Sequence, residues 1–160
     1  MGALTWSPLD GADHEPVLAT LSAWSSGRDF HALLPRLFFE HFTDTSLIVH
    51  DGEGTLAGFI IAFVSQAEPT TGYIHFVWVS PELRGQGLGR QLYERAFDLL
   101  RGRGCRRVEA VTIPENSGSL AFHDRMGFRA RDGGGPPAEA PVVADHAGPG
   151  QHRVVLERDL

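Results

Sequence analysis

Apolar residues along the 160-residue chain fall on two periods, one close to helical and one alternating or continuous. Near the start, Ala3 to Ser7 reads as a short strand. Val17, Leu18, Leu21 and Trp24 then recur at helical spacing behind a first turn holding Glu15 and Pro16, which predicts a helix capped by Asp13 and ending near Ser25 to Gly27. Leu33, Leu34, Leu37, Phe38 and His41 give a second broad face over 30–42, with Pro35 either bending that helix or starting its main turn. The pattern then changes. The runs 46–50 and 55–64 are rich in β-formers and are parted by Asp51-Gly52-Glu53-Gly54, which predicts a hairpin. Residues 72–80 form a third strand stopped by Pro81, because proline cannot donate to a ladder.

Downstream, Leu92, Ala96, Leu99 and Leu100 mark a helix over 89–101, punctuated by Gly102 and Gly104. A strand over 107–113 follows, then a short helix over 117–126 closed by Gly127, a strand beginning at 128–131 and a final strand over 152–157. Residues 132–150, with three consecutive glycines and several prolines, read as a long loop. No internal repeat appears. The order is that of a mixed α/β chain forming a single domain over 1–160 with the 132–150 loop inside it.

Composition narrows the class. The longest apolar run, Leu56 to Val64, is far short of the roughly 20 residues a bilayer span needs, and no basic segment precedes it. With one cysteine, Cys105, no internal disulfide forms, so the expected location is cytoplasmic and no membrane partner is expected. A net charge of −6 argues against a nucleic-acid binder. All 14 basic residues are arginine. Residues 1–72 carry nine carboxylates against Arg28 and Arg36, giving −7, whereas 73–160 carry eleven against twelve arginines, giving +1. Two ligands of opposite charge would suit such a division.

The stretch Val77-Trp78-Val79-Ser80-Pro81-Glu82-Leu83-Arg84-Gly85-Gln86-Gly87-Leu88-Gly89-Arg90 sets three glycines in five residues between a strand and a helix. Glycines at such a junction let successive N–H groups turn inward, and the helix adds its unsatisfied first-turn donors, so the loop suits a phosphate or pyrophosphate. Arg84 and Arg90 can add charge-assisted contacts. A Walker A loop is excluded because the chain has no lysine, and a dinucleotide fingerprint fails because Arg90 stands where its third glycine belongs.

The pattern Arg84-Gly85-Gln86-Gly87-Leu88-Gly89, followed by Asn116-x-x-Ser119-x-x-Phe122-His123 and Met126-Gly127-Phe128, resembles the GCN5-related N-acetyltransferase (GNAT) superfamily, most strongly over 46–131. The resemblance implies a mixed, mostly antiparallel central sheet of about six or seven strands with helices on both faces and two strands splayed to form an acetyl-CoA cleft. It also implies that acetyl-CoA is the co-substrate. Backbone groups of Val77 and Val79 would pair with the pantetheine arm, and amides from Gly85 through Gln86, Gly87, Leu88 and Gly89 to Arg90 would hold the pyrophosphate. Asn116, Ser119 and Phe122 would meet the CoA arm, Asn116 serving also as a helix N-cap. The implied reaction is direct attack of an amine on the thioester through a tetrahedral intermediate, with a backbone N–H near Val79 as oxyanion donor.

His75 is the candidate base, and period-two alternation sets Tyr73, His75, Val77 and Val79 on one face. The competing reading is a hydrogen-bonded sheet histidine, and Glu109 is a weaker alternative base. Where many relatives carry a tyrosine as acid for the leaving thiolate, this chain has His123, whose alternatives are a cofactor contact or a helix-capping side chain, with water supplying the proton. The remaining histidines lack ligand spacing, so no metal is expected, and Cys105 reads as a small buried residue. The resemblance puts the acceptor near the first two helices, where Trp24, Phe30 and Tyr73 are candidate contacts. The acidic, aromatic surroundings suggest a small cationic amine rather than a ribosomal or tRNA-linked acceptor. A non-catalytic acyl-CoA sensor and a nucleotide-binding protein of another fold stay open, as does a homodimer.

Overall fold

The expected hairpin turn forms as its composition dictates: Asp51 Oδ1 accepts from the N–H groups of both Glu53 and Thr55 at 2.9 Å, and Gly54 takes a φ of +80°. In the computed structural model, which describes residues 2–160, this turn joins two members of a mixed sheet. The strands are β1 (Thr5–Pro8), β2 (Leu47–His50), β3 (Leu56–Val64), β4 (Thr71–Val79), β5 (Arg107–Thr112), β6 (Arg129–Ala130), β7 (Val142–Val143) and β8 (Arg153–Asp159). The helices are α1 (His14–Trp24), α2 (Leu37–His41), α3 (Leu88–Gly102) and α4 (Ser117–Arg125). Strand order is β1-β2-β3-β4-β5-β8-β6, with β7 also on β8. β4 and β5 run parallel, whereas β1/β2, β2/β3, β5/β8, β6/β8 and β7/β8 are antiparallel. The mixed, mostly antiparallel sheet is therefore as expected. It has eight strands rather than six or seven because β6 and β7 are two-residue strands sharing β8.

The chain divides into two interleaved compact units, Met1–Phe63 with His75–Arg103, and Val64–Ile74 with Gly104–Leu160, and β4 passes from the second into the first. In the first unit, Val17, Leu18 and Leu21 of α1 pack with Leu9, Phe30, Leu34 and Phe39 against Ile48, Phe59 and Ile61 of the sheet. Each such fully buried side chain contributes about 1.5–3 kcal/mol. α3 buries Leu88, Leu92, Tyr93, Ala96, Phe97 and Leu100, so Leu92, Ala96 and Leu100 of the stripe read from sequence face the core whereas Leu99 is exposed. In the second unit, β5 buries alternate residues Val108, Ala110 and Thr112, and its parallel partner is Thr71–Ile74 of β4.

Three elements differ from expectation. The helix predicted over 30–42 is only α2, five residues long; 31–34 is a turn, and Pro35 precedes the helix rather than bending it. Asp13 stands at the N-cap of α1 as expected but makes no side-chain cap bond there; Asp10 caps a 3₁₀ turn over Gly11–Asp13, and Asp13 reaches back to the Asp10 N–H at 2.9 Å. The 132–150 segment holds a 3₁₀ turn (Pro137–Glu139) and β7. No helix among the described residues is long and apolar enough to cross a membrane.

Candidate functional site

The loop after β4 has the conformation its glycines suggested. Ser80 N–H donates to Ala57 O at 2.8 Å, pinning the end of β4 before a 3₁₀ turn at Pro81–Leu83. Arg84 is extended, Gly85 takes φ +75°, and Gly87, the N-cap of α3, takes φ +85° without any side-chain cap. A Cβ at Gly85 or Gly87 would meet nothing within 4 Å, so backbone conformation, not space, calls for glycine here. The first intrahelical bond of α3 runs from Gln91 N–H to Gly87 O at 3.1 Å. The N–H groups of Leu88, Gly89 and Arg90 thus have no acceptor inside the helix, and they sit at its positive end. This donor set fits a pyrophosphate such as that of acetyl-CoA.

The side chains around this loop are less free than its backbone. Arg84 Nε donates to Val79 O at 3.3 Å, and its guanidinium stands 5.3 Å from the Trp78 ring centroid. Arg90 pairs with Glu94 at 2.7 Å, Gln86 donates to Glu82 O, and Leu88 is buried. Val77 and Val79 are half-buried at the end of β4.

His75 lies in the same unit. Its Nε2–H donates to Leu33 O at 2.8 Å; a carbonyl only accepts, so the neutral ring leaves its lone pair on Nδ1. The ring stacks on Phe38 at 4.1 Å with an interplanar angle of 14°. Burial pushes the imidazole below its ordinary value, and the Leu33 hydrogen bond works the other way.

Strict alternation along β4 does not hold. Ser65 N–H bonds to Thr71 O, and Ser80 N–H bonds to Ala57 O. Between these bonds β3 spans eight steps, Ala57 to Ser65, and β4 nine, Thr71 to Ser80. One extra residue on β4 is a β-bulge. Accordingly His75 and Phe76, although adjacent, both reach the α1–α2 packing layer, His75 through Phe38 and Phe76 through Phe30 and Phe59. The expectation that His75 shares a face with Val77 and Val79 is corrected by this bulge.

The other motif belongs to the second unit. Asn116 caps α4, its Oδ1 accepting from Ser119 N–H at 3.0 Å. His123 is 4% exposed and donates from Nδ1 to Ser119 O at 2.8 Å, with Ser119 Oγ at 3.2 Å and the Phe128 ring edge-on at 4.9 Å. Burial lowers its pKa, against the weaker opposing effect of that hydrogen bond. Burial thus opposes the charged form an acid at this position would need, and the hydrogen bond offsets it only in part. Tyr73 is half-buried, registers opposite Glu109 and has its phenol pushed up first by burial, then by the Glu109 charge. Glu109 in turn lies 3.7 Å from Arg131.

Of the acceptor candidates, Trp24 packs on the core of the first unit, and Phe30 lies in that core with its ring against Phe76 and Trp78. Phe30 also lines a pocket of about 410 Å³ between α1 and residues 27–31. Asp29 accepts there from both the backbone N–H and Nδ1 of His31, which holds its carboxyl below the usual range. The sequence reading missed Arg28, Asp29 and His31 because their signal is a local Asx turn, not a ligand spacing. Ser26 (φ +60°) and Gly27 (φ +89°), both left-handed, turn the chain into that pocket. No cluster of three or more metal-ligating side chains occurs among the described residues.

The family model described as Acetyltransferase (GNAT) family matches residues 15–128. Mycothiol acetyltransferase of Beutenbergia cavernae is 41% identical over 92 residues, covering 56% of this chain and 30% of that protein. L-2,4-diaminobutyric acid acetyltransferase of Shouchella clausii is 32% identical over 87 residues, 54% of this chain and 48% of that protein. The matched region therefore spans about half or less of these relatives. Among solved structures, a GCN5-related N-acetyltransferase from Kribbella flavida superposes with a TM-score of 0.72 at 17% identity over 99% of this chain and 98% of that one, a likeness of fold.

Proposed function

The chain belongs to the GNAT acetyltransferase family, and from that premise we propose that it moves an acetyl group from acetyl-CoA to the amine of a small, cationic acceptor. The observation that carries this reading is the donor set at 85–90: two left-handed glycines leading into an uncapped helix N-terminus at the end of β4. Its N–H groups would hold the pyrophosphate, and backbone groups of Val77 and Val79 the pantetheine arm. Asn116, Ser119 and Phe122 carry the family's second CoA motif, and in this assignment Asn116 contributes its amide NH₂, since its Oδ1 is spent on the cap.

When bound, acetyl-CoA supplies an activated thioester. The acceptor ammonium first gives one proton to solvent; the neutral amine then attacks the carbonyl carbon directly, forming the C–N bond and a tetrahedral intermediate whose collapse breaks the C–S bond, and the nitrogen sheds a second proton while the thiolate gains one. His75 takes that proton on Nδ1: its tautomer is fixed by Leu33, and its lowered pKa leaves it unprotonated at neutral pH. Its modest basicity suffices because the amine becomes acidic as the N–C bond forms. The Val79 N–H is the proposed oxyanion donor. His123, with its proton committed to Ser119, positions α4 in this scheme, and water protonates the thiolate.

Calorimetry with acetyl-CoA, CoA and ATP tests the cradle; tight binding of both CoA species with none of ATP is expected, and a preference for ATP would overturn the reading. Release of free CoA thiol on adding amines separates an acetyltransferase from an acyl-CoA sensor, which would bind without turnover.

A further inference from the structure

The pocket between α1 and residues 27–31 carries groups of both charge signs, which a simple amine would not require. Arg28 stands with its guanidinium 4.9 Å from the Phe30 centroid. No carboxylate lies within 4.0 Å of it among the described residues. Asp29, the nearest acid in sequence, is already committed to His31. Arg28 is thus an unpaired cation, held over an aromatic ring in the lining of the pocket, and its planar fork suits a carboxylate. Glu15, on α1, also lines the pocket and offers a carboxylate whose neighbours are His14 Nδ1 at 3.2 Å and Arg36 at 3.8 Å. The volume, about 410 Å³, suits a small metabolite rather than a peptide.

Chain connectivity ties this pocket to the reaction. The segment that lines it continues within two residues into Leu33, whose carbonyl fixes His75, and the ring of Phe30 in its lining lies against Phe76 and Trp78 of β4. All of these residues belong to one compact unit. We propose that this pocket seats the acceptor by a carboxylate on Arg28 and an ammonium on Glu15, so that the acceptor is a diamino acid acetylated on its distal amine. The inference rests on the acetyl-transfer reading and names the substrate class of the same site.

The test compares 2,4-diaminobutyrate with 1,3-diaminopropane, which has the same two amines at the same spacing and lacks only the carboxylate. Thiol release should favour diaminobutyrate by about tenfold or more in kcat/KM, since a site built to pair with a polar group rejects the analogue lacking it. Arg28→Ala should erase that preference through KM, and Arg28→Lys, which keeps the charge but loses the fork, should restore part of it. Equal rates for the two diamines in the native protein, or an unchanged preference in Arg28→Ala, would overturn the proposal. So would acetylation of other amines with neither diamine accepted, an outcome that leaves acetyl transfer standing. If no amine releases thiol, the acetyl-transfer reading fails instead. Calorimetric binding of the two diamines to native and Arg28→Ala protein then decides the pocket: carboxylate-dependent binding lost in the variant upholds it, and its absence overturns it.

Discussion

Two histidines marked by the sequence reach different fates because their surroundings differ. His75 has one nitrogen tied to Leu33 O and its ring stacked on Phe38, an arrangement that fixes orientation while leaving Nδ1 as an acceptor. His75→Gln should lower kcat by about a hundredfold or more, as loss of a general base does, with little change in acetyl-CoA affinity. In the native protein the rate should fall on acidification only below the ordinary histidine range of about 6.5, because burial depresses the His75 pKa. A Gln variant whose profile below pH 7 matches the native one would point to another base. His123 is better read through stability. Both histidines have folded pKa values below the unfolded one, so between the two values the unfolded chain binds more protons and each drop in pH favours unfolding. The Tm should therefore be steady above about pH 7 and decline as pH falls through about 6.5 and lower. His123→Gln should flatten that decline, which thermal melts from pH 5 to 8 would show. The His75 environment was not legible in the sequence, whereas the His123 contact to Ser119, four residues earlier on one helix, is local. Leu33 lies 42 positions before His75, and no local pattern announces a contact of that separation.

At the scale of elements, what could be read depended on whether the cause was local. The loop at 84–90 was legible because strand end, proline, glycines and helix start follow one another in the chain. The bulge in β4 was not, since nothing in Thr71–Val79 distinguishes the extra residue by type, and it alone moves His75 to the layer of Phe76. Pro35 was read as bending the helix or starting its main turn, and α2 does begin just after it, but the length of turn before it depends on packing of Phe30 and Leu34 into the core. Two glycines separate conformation from space. A Cβ at Gly87 meets nothing but would be held at φ +85°, whereas one at Gly58 would lie 2.8 Å from Trp78 O and 3.3 Å from Leu92 Cδ1. Gly87→Ala should cost roughly 1–2 kcal/mol of local strain and weaken CoA binding by about tenfold, with the fold retained. Gly58→Ala, pressing β3 into the backbone of β4, should destabilise the whole protein by about 1–3 kcal/mol. Melting curves beside CoA calorimetry distinguish these outcomes; equal loss of Tm in both variants would contradict the distinction.

The charge division read along the chain is redistributed by folding. Split at residue 72, the sequence separates −7 from +1, but the compact units do not follow that split. The unit of Met1–Phe63 and His75–Arg103 carries eleven carboxylates against seven arginines, giving −4. The other carries nine against seven, giving −2. The glycine cradle therefore sits in the more acidic unit, on the same fold as Glu15 and the pocket at Arg28. An anion held there gains from short-range N–H donors, and a cation approaching the same unit gains from its longer-range field. These two dependences separate with ionic strength, because screening lengths shrink from about 30 Å at 0.01 M to about 3 Å at 1 M salt. Raising salt across that range should increase KM for a dicationic acceptor such as 1,3-diaminopropane several-fold, and for the monocation propylamine about half as steeply on a logarithmic scale. Because acetyl-CoA is repelled by the same net charge, its KM should rise less or fall. Parallel salt slopes for the dication, the monocation and acetyl-CoA would mean that the −4 of this unit does not act at the acceptor side, and the cationic preference would then have to come from Glu15 at contact distance alone.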